Sequence, residues 1–309
     1  MANWTFDDIP DQSGRTAIVT GANTGIGFET ARMLALRGAA VIIACRDLGK
    51  GDAALARIRA EMPAAKVSVA ALDLADLDSV ATFARGFAEH HDRLDLLIAN
   101  AGVMVPPRSR TKQGFELQIG TNHLGHFALV AKLMPLLERT AGARIVVVAS
   151  TAAHFGRIDL ADLSSERKAY RGWSAYGQSK LANLLFVREL GRRLEGAGSP
   201  VRVTAAHPGW TATDLQRTAG LARMFNPVFA MKPKDGALPT LRAAVDPAAA
   251  QGDYFGPSGM FELRGAPVSA RLPKRALDDA MAQRLWSISE TLTGVPFAVQ
   301  PRERARAAI

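Results

Sequence analysis

In the stretch SAYGQSKLANLLF, Ser174 to Phe186, a phenol and an ammonium stand four residues apart, at Tyr176 and Lys180. Ala175, Leu181, Leu184 and Leu185 recur around them at helical spacing, so the two polar groups share one helix face, one turn apart. A tyrosine at its ordinary pKa of about 10 keeps its proton at neutral pH and is a poor base. A cation one turn away favours the phenolate by Coulomb attraction and makes the phenol a candidate for exchanging a proton with a substrate oxygen. The competing explanation is snorkelling, in which the ring and the lysine stem cover apolar surface and only their tips reach water.

Two more side chains suit such chemistry. Ser150 ends the apolar run ARIVVVAS, where a hydroxyl can donate to a developing oxyanion. It can also simply end a strand and bond local backbone. Asn122 falls inside the long helical pattern GFELQIGTNHLGHFALVAKLMPLLERT, although asparagine is a mediocre helix former. Either the helix breaks there and a bound water links Lys180 to solvent, or the amide is buried and satisfied by neighbouring backbone.

The elements that must hold these groups alternate along the chain. Strand candidates are RTAIVT, AAVIIAC, AKVSVAAL, LDLLIAN, ARIVVVAS, VRVTAAH and GDYFG, separated by helical patterns such as GIGFETARMLALRG and PKDGALPTLRAAV. Strands that are apolar almost throughout suit a parallel sheet covered on both faces. The reading is an α/β fold with a single Rossmann-like doubly wound parallel sheet of about seven strands. No Pro/Gly/Ser-rich linker divides the 309 residues, which read as one domain with an arm at 1–14, an insertion at 155–172, a segment at 208–231 and a tail at 300–309. The two internal irregular segments follow strands directly, so both are expected to flank the ligand site.

TGANTGIG lies between the first strand and the first helix. Gly21, Gly25 and Gly27 allow a tight turn, close approach of a pyrophosphate, and close packing of helix on sheet. Asn23, Thr24 and Ile26 share that turn, and the helix N-terminus offers N–H groups and a positive dipole end to phosphate. The second strand ends ACRD. An arginine there accommodates a 2′-phosphate, whereas an acidic residue holds a ribose 2′-OH. Arg46 therefore favours NADP(H) over NAD(H), although Asp47 next door could recruit the hydroxyl instead.

Composition excludes several classes. The one cysteine, Cys45, allows no internal disulfide and no multi-cysteine metal site, and it reads as an inert thiol in a cytoplasmic protein. The net charge of +9 is spread along the chain and concentrated only in PRERARAAI, so no nucleic-acid role is expected. MANWTFDDIPDQSG has no basic n-region and no apolar run, so it does not read as a signal peptide. His123, His126, His154 and His207 show no metal-ligand spacing and read as core or surface histidines. Trp173 is either a lid over substrate or a core residue. After Pro208, the residues Leu221, Met224, Phe225, Val228 and Phe229 suit a mobile lid over an apolar substrate. Arg217 and Arg223 beside them leave a membrane-surface patch as the rival, with membrane association the lesser expectation.

Taken in order, TGANTGIG, ALDLADL, NAG, TNHLGHF, VVVAS, YGQSK and HPGW resemble the short-chain dehydrogenase/reductase family over nearly the whole chain. ACRD, NHLGHF, AHFGRIDL and LWSISETLTGV resemble its retinol dehydrogenase and protochlorophyllide reductase branch. The resemblance implies that Tyr176 is the acid/base, Lys180 its partner, Ser150 the hydroxyl on the substrate oxygen and Asn122 a member of a proton relay. It implies adenine contacts at Asp73 and Leu74, a cofactor loop at Asn100, Ala101 and Gly102, and a nicotinamide-side turn at Pro208 and Gly209 with Thr211 and Thr213 beyond it. Ala149 departs from the family's usual paired serines. The implied activity is hydride transfer between NADP(H) and a carbonyl or alcohol of a hydrophobic small molecule. The alternatives are reduction of an activated C=C bond, for which the protochlorophyllide branch uses an additional cysteine, and a non-catalytic NADP-sensing protein. Family members commonly associate through their long fourth and fifth helices, so a homo-oligomer is possible unless the 155–172 insertion blocks that surface.

Overall fold

Runs that are apolar at every position can only be satisfied by burial on two faces, and these become interior strands. The computed structural model describes residues 3–211 and 231–300. Its eight strands lie in one sheet in the order β3-β2-β1-β4-β5-β6-β7-β8. They are β1 (Thr16–Thr20), β2 (Ala40–Cys45), β3 (Val67–Ala71), β4 (Leu96–Ala99), β5 (Arg144–Val148), β6 (Arg202–Ala206), β7 (Tyr254–Pro257) and β8 (Pro267–Ser269). The first seven pair in parallel, and all of β1, β4 and β5 is buried. The strand order reverses between β1 and β4, which opens a crevice beyond their carboxyl ends.

The seven expected strands are present, and β8 is the addition. It runs antiparallel to β7 at the sheet edge and is three residues long. It opens on Pro267, a residue that edge strands tolerate and that masks a strand in sequence.

Helices cover both faces. On one side α1 (Gly25–Leu36), α2 (Leu48–Glu61) and the later helix Pro233–Val245 bury Leu34, Ile58 and Leu241 against Val19, Ile43 and Ile98. On the other, α3 (Leu77–His90) and the helices Gly125–Arg139, Gly172–Gly196 and Asp279–Thr293 bury Phe127, Leu185 and Trp286 over Ile18, Leu97 and Ile145. The expected helix around Asn122 is broken. A short piece, α4 (Leu117–Ile119), leads into a π-helical turn at Gly120–Leu124 before α5 (Gly125–Arg139) begins. Gly125 sits where a Cβ would fall 2.3 Å from the Leu74 carbonyl oxygen, so the chain passes that strand-end loop only as glycine.

The helix that carries SAYGQSK is α6 (Gly172–Gly196), 25 residues long. α7 (Pro233–Val245) and α8 (Asp279–Thr293) complete the set. α8 lies along α6, where Trp286 meets Phe127 edge-on at 5.1 Å and Phe297 at 4.5 Å, under the Arg193 guanidinium. The 155–172 segment instead lies along the first turns of α6, with Asp159 N–H on Gln178 Oε1 at 3.0 Å. Part of the outer surface of α5 and α6 is thus occupied by α8 and the chain that follows it, which reaches Glu138 through the Gln300 N–H. No helix among the described residues is long and apolar enough to cross a membrane.

Candidate active site

The turn after β1 passes through Gly21 and Gly25 at φ +66° and +59°, a region glycine enters without steric penalty. Gly27 is constrained by space: an added Cβ would lie 2.4 Å from Asn100 Nδ2 and 2.5 Å from the Gly21 carbonyl oxygen. The first turn of α1 and the loop after β4 are thereby pressed together, and both open onto one cleft.

Thr20 ties these loops to the π turn. Its Oγ1 accepts the N–H groups of Asn100 and Ala101, each at 2.9 Å, while Asn100 Nδ2 donates to the Thr20 carbonyl at 2.8 Å. His126 Nδ1 lies 3.0 Å from the Asn122 carbonyl, which can only accept, so Nδ1 carries the proton. Nε2 is then the acceptor for the Thr20 hydroxyl at 2.9 Å. Burial pulls His126 down to about 4, consistent with that neutral form. It is a core histidine, as its sequence context suggested, yet one that joins the cofactor-side loops to Asn122.

Tyr176 and Lys180 are 4% and 3% exposed, so neither tip snorkels to water. Lys180 Nζ donates to the Val148 carbonyl at 3.0 Å and stands 5.8 Å from the centre of the Tyr176 ring. Burial pushes the ammonium down to about 8. Burial also pushes the phenol up to about 12, opposed only by a hydrogen bond with Ser150. Desolvation acts on both groups, so at neutral pH the resting phenol keeps its proton.

Ser150 bonds local backbone at the strand end and also lines the cleft. Its Oγ accepts the Ala152 N–H at 3.2 Å, capping a short turn, while the hydroxyl meets Tyr176. The Asn122 amide is buried and satisfied: Oδ1 accepts from Val103 N–H at 2.8 Å, and Nδ2 donates to the Val103 carbonyl and Ser179 Oγ at 3.0 and 2.9 Å. The break in the helix and the satisfied amide, set out as alternatives, occur at the same residue. Gly102 lies between this amide and Lys180, where a Cβ would come 3.1 Å from Asn122 Oδ1 and 3.5 Å from Lys180 Nζ.

The cleft, about 340 Å³, is lined by Gly21, Asn23, Thr24, Gly25, Ile26 and Gly27 on one side and by Ser150, Tyr176 and Lys180 on the other. Asn100, Ala101, Gly102, Pro208, Gly209 and Thr211 close it. Thr211 Oγ1 donates to the Pro208 carbonyl at 2.8 Å. Arg46, Asp73 and Leu74 do not line it. Arg46 is exposed just beyond β2, Asp73 Oδ1 accepts the Ala75 N–H at 2.9 Å, and Leu74 is buried against Gly125. Thr213 and the apolar residues Leu221 to Phe229 of the expected lid lie outside the described residues.

Sequence reasoning missed Met104 in the cleft wall, since it only flanks a motif, whereas Phe155, which also lines the cleft, opens the 155–172 segment expected there. Trp173 also lines it and is 44% exposed, so the core alternative fails. His207 is likewise more than a core residue. Its Nε2 pairs with Glu262 at 2.9 Å while Nδ1 accepts the Gly209 N–H at 3.3 Å, which fixes the turn at Pro208 and Gly209.

Residues 15–223 match the family model described as short chain dehydrogenase. The chain belongs to the short-chain dehydrogenase family. It is similar to human retinol dehydrogenase 12, 44% identical over 290 residues that span 91% of this chain and 87% of that protein. Human retinol dehydrogenase 13 is 42% identical over 293 residues, 91% and 85% of the two chains. A crystal structure of an uncharacterised protein from Mycobacterium paratuberculosis superposes with a TM-score of 0.80 at 45% identity, covering 96% of this chain and all of that one. A short-chain dehydrogenase from Shigella flexneri, solved with NADP, gives 0.64 at 25% identity over 79% and 97% of the chains. This is an oxidoreductase of the retinol dehydrogenase branch, and the family binds a nicotinamide cofactor.

In this dehydrogenase the glycine turn fits such a group, because the space beside Gly27 is too small for any side chain. Gly27→Ala is expected to weaken binding of the nicotinamide cofactor about tenfold or more, since its methyl must displace Asn100 or the Gly21 backbone. A fluorescence titration that matches wild type would show that this close approach is dispensable.

Proposed function

We propose that the chain interconverts a carbonyl and an alcohol on a hydrophobic small molecule with NADP(H), using Tyr176, Lys180, Ser150 and Asn122. The observation that carries this reading is a buried phenol, with Ser150 and Lys180 beside it in the wall of one cleft that has a glycine turn on one side and Met104, Phe155 and Trp173 among its apolar walls. The nicotinamide would supply or accept the hydride. Tyr176 gives its proton to the oxygen on which charge develops, and the Ser150 hydroxyl donates to the same oxygen. Lys180 restores the balance of charge when the phenol has given up its proton, and its donors suit a ribose hydroxyl beside it. Asn122, held by Val103 and Ser179, keeps the loop after β4 in register with α6.

Support for NADP(H) comes from the end of β2. The Asp47 carboxylate caps α2 through the Lys50 N–H at 3.1 Å and pairs with Lys50 Nζ at 3.0 Å, which engages the acid that competes with Arg46. Arg46→Ala is expected to raise the KM for NADPH about tenfold and leave that for NADH unchanged, by loss of a charge-assisted phosphate contact. Equal turnover of wild type with both cofactors would sink the preference.

The C=C alternative is weaker because Cys45 is buried at the end of β2, its thiol pushed up by burial and bonded to the Asp47 carbonyl. That lone thiol, far in sequence from any cleft residue of α6, also suits the reducing cytoplasm. Association of two copies stays part of the reading, on surface that α8 leaves uncovered. A screen of aldehydes, ketones and alcohols of graded chain length, followed by NADPH absorbance, tests the reaction class. Turnover of none of them would overturn it.

A further inference from the structure

Val105 stands at φ +49°, in the left-handed region, where a β-branched residue is a conformational outlier. Such a residue persists only where its surroundings over-determine it. Here the surroundings are one buried amide. Gln118, 0% exposed, accepts the Val105 N–H on Oε1 at 2.8 Å and donates from Nε2 to the Gly172 carbonyl and Tyr170 Oη, both at 2.9 Å. Tyr170 donates in turn to Glu116 Oε1 at 3.1 Å. The Glu116 carboxylate, itself 3% exposed, accepts the N–H groups of Gln118 and Ile119 at 3.0 and 2.8 Å. The network is closed, so Gln118 has one orientation available.

Three segments meet at this amide: the loop after β4, the end of the 155–172 segment and the first turn of α6. The Val105 side chain also packs on the Gly172 backbone, where a Cβ would come 2.8 Å from Val105 Cγ1. The chain neighbours of those two residues, Met104 and Trp173, both line the cleft. The Trp173 ring stands edge-on to Tyr176 at 6.3 Å between centroids.

We propose that Gln118 is a positioning residue for substrate selection: by clamping Val105 and Gly172 it sets Met104 and Trp173 as the apolar jaws beside Tyr176. The strain at Val105 is the cost of that placement, and the ligand it serves is a carbonyl compound whose remaining atoms are an apolar chain or ring. The assignment rests on the carbonyl/alcohol reading given above.

The test uses the full chain labelled with 5-fluorotryptophan, whose four tryptophans give four fluorine signals, that of Trp173 being assigned from the Trp173→Phe variant. Gln118→Met removes all three hydrogen bonds at similar volume. It is expected to move the Trp173 signal and raise the KM for the longest aldehydes about tenfold, with NADPH affinity within about twofold of wild type. Val105→Asn in that background is expected to restore both, because asparagine holds the left-handed region without a clamp. Alone, Val105→Asn should behave as wild type. A role in stability only would give no such rescue of KM.

An unmoved Trp173 signal overturns the clamp. A moved signal with unchanged KM, or a KM rise that tracks lost NADPH affinity and resists Val105→Asn, overturns the role in selection. If Gln118→Met does not fold, Val105→Gly carries the test. It leaves the buried network intact and frees the loop, so a shift of the signal and a KM rise of about threefold are expected, and no change refutes the proposal. Wild type that reduces no aldehyde defeats the reaction class, and the selection role with it, whereas active wild type with a flat Gln118→Met response defeats the selection role alone.

Discussion

Tyr176→Phe is expected to cut carbonyl reduction on the order of 10³-fold while NADPH affinity stays within about twofold, because it deletes the proton donor and little else. The ring is 4% exposed and packs edge-on to Trp173, contacts that phenylalanine keeps. Ser150 loses the phenol as a partner and retains the Ala152 N–H. The glycine turn and the Lys180 bond to the Val148 carbonyl do not involve the phenol oxygen. Single-turnover rates and a cofactor titration on the same preparation check both halves. More than about a tenth of wild-type turnover would remove Tyr176 from the chemistry, since general acid catalysis supplies at least about 10²-fold. A parallel fall in NADPH affinity would instead make its role structural.

What could be read from sequence is what depends on local pattern. Tyr176 and Lys180 share a helix face because four residues make about one turn, and the interior strands are legible because burial on both faces leaves an unbroken apolar run. The glycine turn is legible because φ and space both restrict its residues. The state of the phenol was not legible. Spacing places a cation nearby, but only the fold reveals that desolvation acts on both groups and pushes the phenol up and the ammonium down. Asp73 and Leu74 are picked out by a family motif, and the contacts that shape their loop, a bond to its own backbone and packing on Gly125, are not legible from that motif. Gln118 and His126 were illegible for another reason. Their partners, Gly172 for one and Thr20 for the other, are distant in sequence, and a polar residue in a helical pattern gives no sign of what it will meet. The π turn at Asn122 belongs with these, since it follows from contacts with Leu74 and Val103 that no local propensity encodes.

The buried histidines carry the second large effect, a loss of stability on mild acidification. Burial pulls His123 from its ordinary 6.5 to about 3 and His126 to about 4. Between 6.5 and those values the unfolded chain binds protons that the native state refuses, so unfolding is favoured as pH falls. The stabilisation is full above about pH 6.5 and is lost progressively toward pH 4. Each histidine changes stability by about 1.4 kcal/mol per pH unit, so the pair amounts to on the order of 5 kcal/mol by pH 4.5. The carboxylates held low by partners, Asp95 beside Arg93 and Glu262 beside His207, add a loss of the same sign at the acid end of the series, where the unfolded chain begins to protonate its carboxylates. Urea melts at pH 7.0, 5.5 and 4.5, values spanning about two units of that window, are expected to show the midpoint falling steadily. His123→Phe should remove roughly half of the slope. The phenyl ring fits beside Phe127 and Phe186, and it replaces an Nδ1 that has no partner among the described residues. Ser289, which His123 Nε2 contacts, keeps its own bond to the Leu285 carbonyl. Equal midpoints at pH 7.0 and 4.5 would mean that both rings already accept protons in the native state, which the Thr20 and Asn122 contacts of His126 forbid unless that junction opens.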